Sequence, residues 1–314
     1  MSKYRNALPQ LSQDIFITDG GLETTLVFHN HLDLPEFAAF DLLKKDGGYQ
    51  TLRDYFLTYI TIARNNQVGF VLESPTWRAS RDWGFKLGYQ PGELRDLNLK
   101  SISMLNDLRN EWETETTPMV ISGNMGPRGD GYRVDKKMTA AQALAYHQEQ
   151  VDTFSQSEAD LVSAFTLNYA EEAIGITWAA QSAQIPVVIS FTVETDGKLP
   201  SGQTLGEAID IVDTTTHNGP AYYMINCAHP THFKETLADR QLRADRIRAV
   251  RANASIKSHA ELDEAVELDA GDPSELGAHH VDLKRLLPQL NIFGGCCGTD
   301  HRHVAAICKS VTVH

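Results

Sequence analysis

Asn291-Ile292-Phe293-Gly294-Gly295-Cys296-Cys297-Gly298-Thr299-Asp300, near the C-terminus, is the stretch from which the rest of the chain can be read. Ile292 and Phe293 close an apolar run with the composition of a buried strand. Gly294 and Gly295 then permit close backbone approaches that a Cβ would forbid. Thr299-Asp300 has the chemistry of a helix N-cap ahead of residues 301–309. Strand, glycine turn and helix start form one strand-to-helix unit, with the adjacent thiols of Cys296 and Cys297 at its turn.

The same unit recurs towards the N-terminus. Apolar runs at 15–18, 68–73, 119–123, 160–165, 186–192, 221–226, 247–252 and 290–293 punctuate the chain, separated by segments such as 49–66 and 139–157 with a helical pattern. Eight βα units predict an α/β protein, a single (β/α)8 TIM barrel occupying residues 1–314 as one domain. The runs are almost continuously apolar, as strands covered on both faces should be; 247–252 is the least apolar. No Pro/Ser/Gly linker divides the chain. Residues 77–97, 126–137 and 257–277 read as long loops after the second, third and seventh strands, on the active face.

A formal net charge of −13 argues against binding a nucleic-acid backbone or an anionic membrane, and no apolar run reaches the length of a membrane span. The N-terminal residues Met1-Ser2-Lys3-Tyr4-Arg5 lack the apolar core of a signal peptide. Four cysteines in 314 residues do not make a disulfide framework. Reduced thiols in the cytoplasm are therefore expected, where a cysteine cluster points to metal or catalysis.

Active sites of such barrels gather at the C-terminal ends of the strands. The polar residues following each run are Asp19, then Ser74 and Thr76, Asn124, Thr166 and Asn168, Glu194, Asn226 and Cys227, Asn253, and finally Cys296 and Cys297. Strands six and eight lie two apart around a barrel, so Cys227 can converge with Cys296 and Cys297. Three thiolates suit zinc and leave one tetrahedral position open. A substrate thiol entering that position would be held as thiolate, a sulfur nucleophile at neutral pH. Cys308 lies in the last helical pattern as a core residue, and Trp77 and Trp83 are candidates to line the pocket.

Asp19-Gly20-Gly21-Leu22, Gly126-Pro127, Ser190-Phe191-Thr192, Asn226-Cys227 and Gly294-Gly295-Cys296-Cys297-Gly298, in this order and spacing, resemble the homocysteine S-methyltransferase family from about residue 14 to the last helix. The resemblance implies a (β/α)8 barrel that transfers a methyl group to the thiol of homocysteine, giving methionine, with zinc on Cys227, Cys296 and Cys297. It also implies that Asp19 lies near the amino group of homocysteine. Donors in the family include S-methylmethionine, S-adenosylmethionine and betaine; a chain of this length suits a small sulfonium or ammonium donor.

Two positions depart from the family pattern. Where the family usually has Glu-Thr after strand four, with the glutamate on the substrate ammonium group, this sequence reads Phe165-Thr166. The usual Thr-Glu of the first motif reads Thr24-Thr25, with Glu23 nearby. Either another carboxylate, Glu73 or Glu194, takes the ammonium group, or the acceptor is a different thiol. A non-catalytic barrel that binds through zinc or a redox-active cysteine pair is the contrasting reading. The substrate-binding set is Asp19, Gly20, Thr76, Phe165, Thr166 and Asn226; the metal set is Cys227, Cys296 and Cys297; no side chain is expected to act as nucleophile. The expected partners are a small-molecule thiol and a methyl donor.

Overall fold

The computed structural model describes residues 2–134, 136–238, 242–265 and 267–313. Eight parallel strands close into a barrel in sequence order. They are β1 (Phe16–Ile17), β2 (Gly69–Glu73), β3 (Met119–Met125), β4 (Leu161–Leu167), β5 (Val187–Phe191), β6 (Tyr222–Asn226), β7 (Ile247–Ala252) and β8 (Ile292–Gly295). Closure is made by β1 against β8, with Phe16 opposite Ile292 and Ile17 opposite Phe293. All eight apolar runs are strands, the weak seventh among them. Its residue Arg248 is the half-exposed one, and alternate positions of β7 face different surroundings.

The helices that cover the barrel are α1 (Gly48–Asn66), α2 (Pro91–Trp112), α3 (Ala140–Ser155), α4 (Ala170–Ser182), α5 (Leu205–Thr216), α6 (Pro230–Leu237), α7 (Pro273–Leu286) and α8 (His301–Val313). Their starts are written in the sequence. Thr139 caps α3 and Thr204 caps α5, each in a reciprocal capping box. At α8, Asp300 Oδ1 accepts from the Arg302 backbone N at 2.9 Å. Two expected loops are shorter than the sequence suggests. Residues 77–97 contain a helix at Arg81–Lys86 and the start of α2. Residues 257–277 contain a short helix at His259–Asp263 and end early, because Pro273 sits at the first turn of α7 and Asp272 Oδ1 accepts from the backbone N of Ser274 and Glu275. Asp135 and Val266, within two of these loops, lie outside the described residues.

The core has two shells. Phe16, Val71, Val120, Leu161, Val188 and Ile292 fill the barrel interior, while a larger cluster packs strands against helices. One buried ion pair ties the lower end together: Arg109 Nη1 donates to Asp160 Oδ2 at 2.6 Å, and the same carboxylate accepts from the backbone N of Ile121 and Tyr4. No helix among the described residues is long and apolar enough to cross a membrane.

Candidate functional site

A cavity of about 130 Å³ opens at the C-terminal ends of the strands. It is lined at one side by Cys227, Cys296 and Cys297, whose sulfurs all lie within 4.8 Å of one another. Cys227 follows β6 with a left-handed φ of 55° and lines the cavity. The β8 turn packs against the residues that follow β1, and glycine is needed at that contact. A Cβ on Gly21 would stand 2.5 Å from the Cys296 carbonyl oxygen. Cys227 Sγ and Cys297 Sγ are 3.7 Å apart.

The expectation of reduced thiols is corrected in one respect: Cys227 and Cys296 are paired as a disulfide. The ends of β6 and β8 bring their Cα atoms to 5.4 Å, inside the range that a disulfide spans. The same proximity suits shared ligation when the thiols are reduced. Tetrahedral zinc with sulfurs at about 2.3 Å requires sulfur–sulfur separations of about 3.8 Å; the Cys227–Cys297 separation of 3.7 Å already matches. Cys308 is buried in α8 with its thiol pushed up to about 11 by burial, and takes no part.

Of the six residues expected to bind substrate, Asp19, Gly20, Phe165, Thr166 and Asn226 line this cavity. Thr76 does not. Its hydroxyl is fully buried, donates to the Asn124 carbonyl at 2.7 Å and contacts Ser74 Oγ at 2.6 Å, so it braces the ends of β2 and β3 instead. Of the two tryptophans, Trp77 lines the cavity; Trp83 stacks on Arg78, whose guanidinium carbon is 3.6 Å from the ring centroid. Glu194 is not among the cavity's lining residues and faces His259 at 3.3 Å, whereas Glu73 lines the cavity.

Asn226 holds the site together. Its Oδ1 accepts from the Thr166 backbone N at 2.9 Å and from Ser190 Oγ at 2.6 Å, while its Nδ2 donates to Thr166 Oγ1 at 2.8 Å. One amide thereby joins the ends of β4, β5 and β6. The bonds matter because Thr166 has a φ of 61°, a left-handed conformation that a β-branched residue adopts only under constraint. The β4–β5 register shifts at this point.

Two cavity residues, Tyr132 and Arg251, escaped the sequence reading, and a third, Glu23, was noted there without a role. Tyr132, from the loop after β3, donates its hydroxyl to Cys227 Sγ at 3.3 Å and lies 3.6 Å from Cys297 Sγ. The Asp130-Gly131 turn before it was a usable signal, since Asp130 Oδ1 accepts from the Tyr132 backbone N at 2.7 Å. Glu23, beside the first motif, lines the cavity mouth. Arg251, on β7, is buried at 5% exposure and donates from Nη1 to Asp19 Oδ1 at 2.6 Å. Burial alone would lower its pKa, but the Asp19 carboxylate outweighs this and raises it. Burial pushes both Glu73 and Glu23 up to about 7.

A family model described as homocysteine S-methyltransferase matches residues 16–311. The chain belongs to the homocysteine S-methyltransferase family. It is a methyltransferase enzyme, and the cysteine cluster occupies the C-terminal face from which barrels of this kind work. Among solved structures, the oxidized form of the homocysteine methyltransferase MmuM from Escherichia coli is similar, with a TM-score of 0.74 at 16% identity over 97% of this chain and 99% of that one. Its metallated form gives a TM-score of 0.72 at 15% identity, over 97% and 98% of the two chains. At this identity the likeness is one of fold. In this family member Phe165 packs against Arg251, with the guanidinium carbon 5.1 Å from the ring centroid.

Proposed function

We propose that this protein binds zinc through Cys227, Cys296 and Cys297 and methylates the thiol of homocysteine from a small sulfonium or ammonium donor. The observation that carries the reading is the convergence of three sulfurs, from strand ends 69 residues apart in sequence, at the wall of a cavity containing Asp19 and Asn226. Sulfur donors in threes suit zinc and leave a position for substrate. Zinc bound there would supply Lewis acidity that keeps an acceptor thiol in its thiolate form at neutral pH.

The chain's own residues have three tasks. Asn226 and Thr166 fix the geometry of the wall next to Cys227. Tyr132 donates a hydrogen bond to a sulfur and so spreads negative charge over more than one donor. Trp77 and Phe165 offer aromatic faces, and Glu23 and Glu73 carboxyl groups, to a methylated cation. The acceptor sulfur forms a bond to the methyl carbon as the donor's bond to that carbon breaks. The donor leaves as a neutral thioether or amine with the bonding electrons. The acceptor's thiol proton has already passed to solvent, and no protein group is alkylated.

The test is zinc content of the reduced protein together with methyl transfer to homocysteine, offering S-methylmethionine, S-adenosylmethionine and betaine in turn. One zinc per chain and methionine formation with one donor is the expected result. A reduced, folded protein that retains no zinc and methylates no thiol would overturn the proposal.

A further inference from the structure

We infer that Arg251 takes the carboxylate of the acceptor, so that the enzyme selects thiols bearing an acid group and does not require an α-ammonium group. This assignment rests on the thiol-methylation reading above and names the substrate class that reading leaves open: mercapto-carboxylic acids, with homocysteine as one member.

Arg251 is the one cationic side chain among the described residues lining the cavity. Its guanidinium is only partly satisfied. Nη1 donates to Asp19 Oδ1 at 2.6 Å and Nη2 to the Gly20 carbonyl at 3.1 Å, but Nε is buried with no acceptor among the described residues. The planar fork of a guanidinium pairs with a carboxylate through two parallel N–H groups. The Nε side of Arg251 is the side lacking such a partner. The Phe165 ring, its centroid 5.1 Å from the guanidinium carbon, offers a π face and no carboxylate oxygen.

Asp19 does not offer the same opportunity to an ammonium group. Each oxygen of Asp19 already holds a donor, Arg251 on Oδ1 and the Tyr55 hydroxyl on Oδ2 at 2.8 Å. Glu73 Oε2 accepts from Ser163 Oγ at 2.6 Å. Burial holds Glu73 and Glu23 near 7, so neither needs to be fully ionised beside an incoming anion. The cavity must hold two ligands together. A cationic donor draws these two carboxyls to their ionised form, and Arg251 is left to match the anionic end of the acceptor.

The experiment compares homocysteine with its des-amino analogue, a mercaptobutanoate, and its decarboxylated analogue, mercaptopropylamine. Binding to the zinc-loaded protein is measured by calorimetry, and methyl transfer is measured in parallel. The des-amino thiol should bind within about fivefold of homocysteine, and the aminothiol should be weaker by about tenfold to a hundredfold, the loss expected for one charge-assisted pair. Equal binding of the two analogues, or a reversed order, overturns the assignment. If none of the three binds or reacts, the thiol-methylation reading itself has failed and the assignment falls with it; binding of the aminothiol alone would refute Arg251's role and leave that reading intact. Arg251→Met should erase the preference between the analogues. Because it strands Asp19, its fold is checked by circular dichroism. Arg251→Lys keeps the charge and loses the fork, and should reduce the preference without erasing it; an unchanged preference in this variant also overturns the proposal.

Discussion

Asn226→Ala is the perturbation whose consequence the structure specifies most fully. The substitution removes an amide that satisfies the Thr166 backbone N–H, Ser190 Oγ and Thr166 Oγ1, at 2.9, 2.6 and 2.8 Å. Thr166 and Ser190 are buried, at 2% and 0% exposure. Each donor left without a partner costs about 1–3 kcal/mol. Water from the adjacent cavity recovers part of this, so a net loss of about 2–4 kcal/mol is expected. A loss of that size lowers Tm by roughly 3–6 °C in a single domain of 314 residues. Released from the amide, Thr166 can leave its φ of 61°, which shifts the end of β4 and the wall beside Cys227. Zinc retention should therefore fall along with stability. The assay is thermal and urea unfolding of the wild type, Asn226→Ala, Ser190→Ala and the double variant. Ser190→Ala removes the hydroxyl that Asn226→Ala strands, so the double variant should cost less than the sum of the singles by about 1 kcal/mol. A Tm for Asn226→Ala within about 1 °C of wild type, or additive effects in the cycle, would refute the idea that this amide clamps three strand ends.

Glu73 gives a pH signature. Burial raises its pKa from 4.5 to about 7, so the unfolded chain ionises first as pH rises. The stability present below pH 4.5 is lost progressively up to about 7, by about 3 kcal/mol, and is flat above. Glu73→Gln should make the curve about half as steep between these limits, Glu23 supplying the remaining slope, and be the more stable protein at pH 8, read by urea midpoints across pH. Tyr132→Phe removes the hydroxyl 3.3 Å from Cys227 Sγ; the reduced protein should release zinc to a chelator about threefold to tenfold faster, with Tm nearly unchanged. Arg109→Leu leaves Asp160 buried at 0% exposure with its ion-pair partner gone. It should destabilise by about 3–5 kcal/mol while zinc content per folded chain stays at the wild-type value; loss of zinc at constant stability would contradict the separation of this pair from the site.

Much of the site was legible because its chemistry resides in residue types. Three cysteines at strand ends, a glycine-rich turn and the Asp19 motif specify a sulfur-based site before any coordinate is known. What misled was proximity in sequence. Thr76 stands at a strand end like its neighbours, yet the chain turns there and its hydroxyl closes on the Asn124 carbonyl. Tyr132 sits in a long loop, where no periodicity says which side chain folds inward. The ends of the loops at 77–97 and 257–277 were missed because polar residues on the outer face of a helix read the same as polar residues in a loop.

The sequence by itself determined the eight strands and their order, because a strand covered on both faces must be apolar throughout and each such run was visible locally. It also placed three cysteines at strand ends as candidate ligands, since no other residue type supplies thiolate. The tertiary structure alone decided how the charges in the cavity are paired. Arg251 lies in the least apolar strand, where nothing in the local sequence names a partner for it, but barrel closure brings it to Asp19, 232 residues away. Burial then fixes what that meeting means, because a guanidinium removed from water must find acceptors, and those within reach are set by packing and not by the neighbouring sequence.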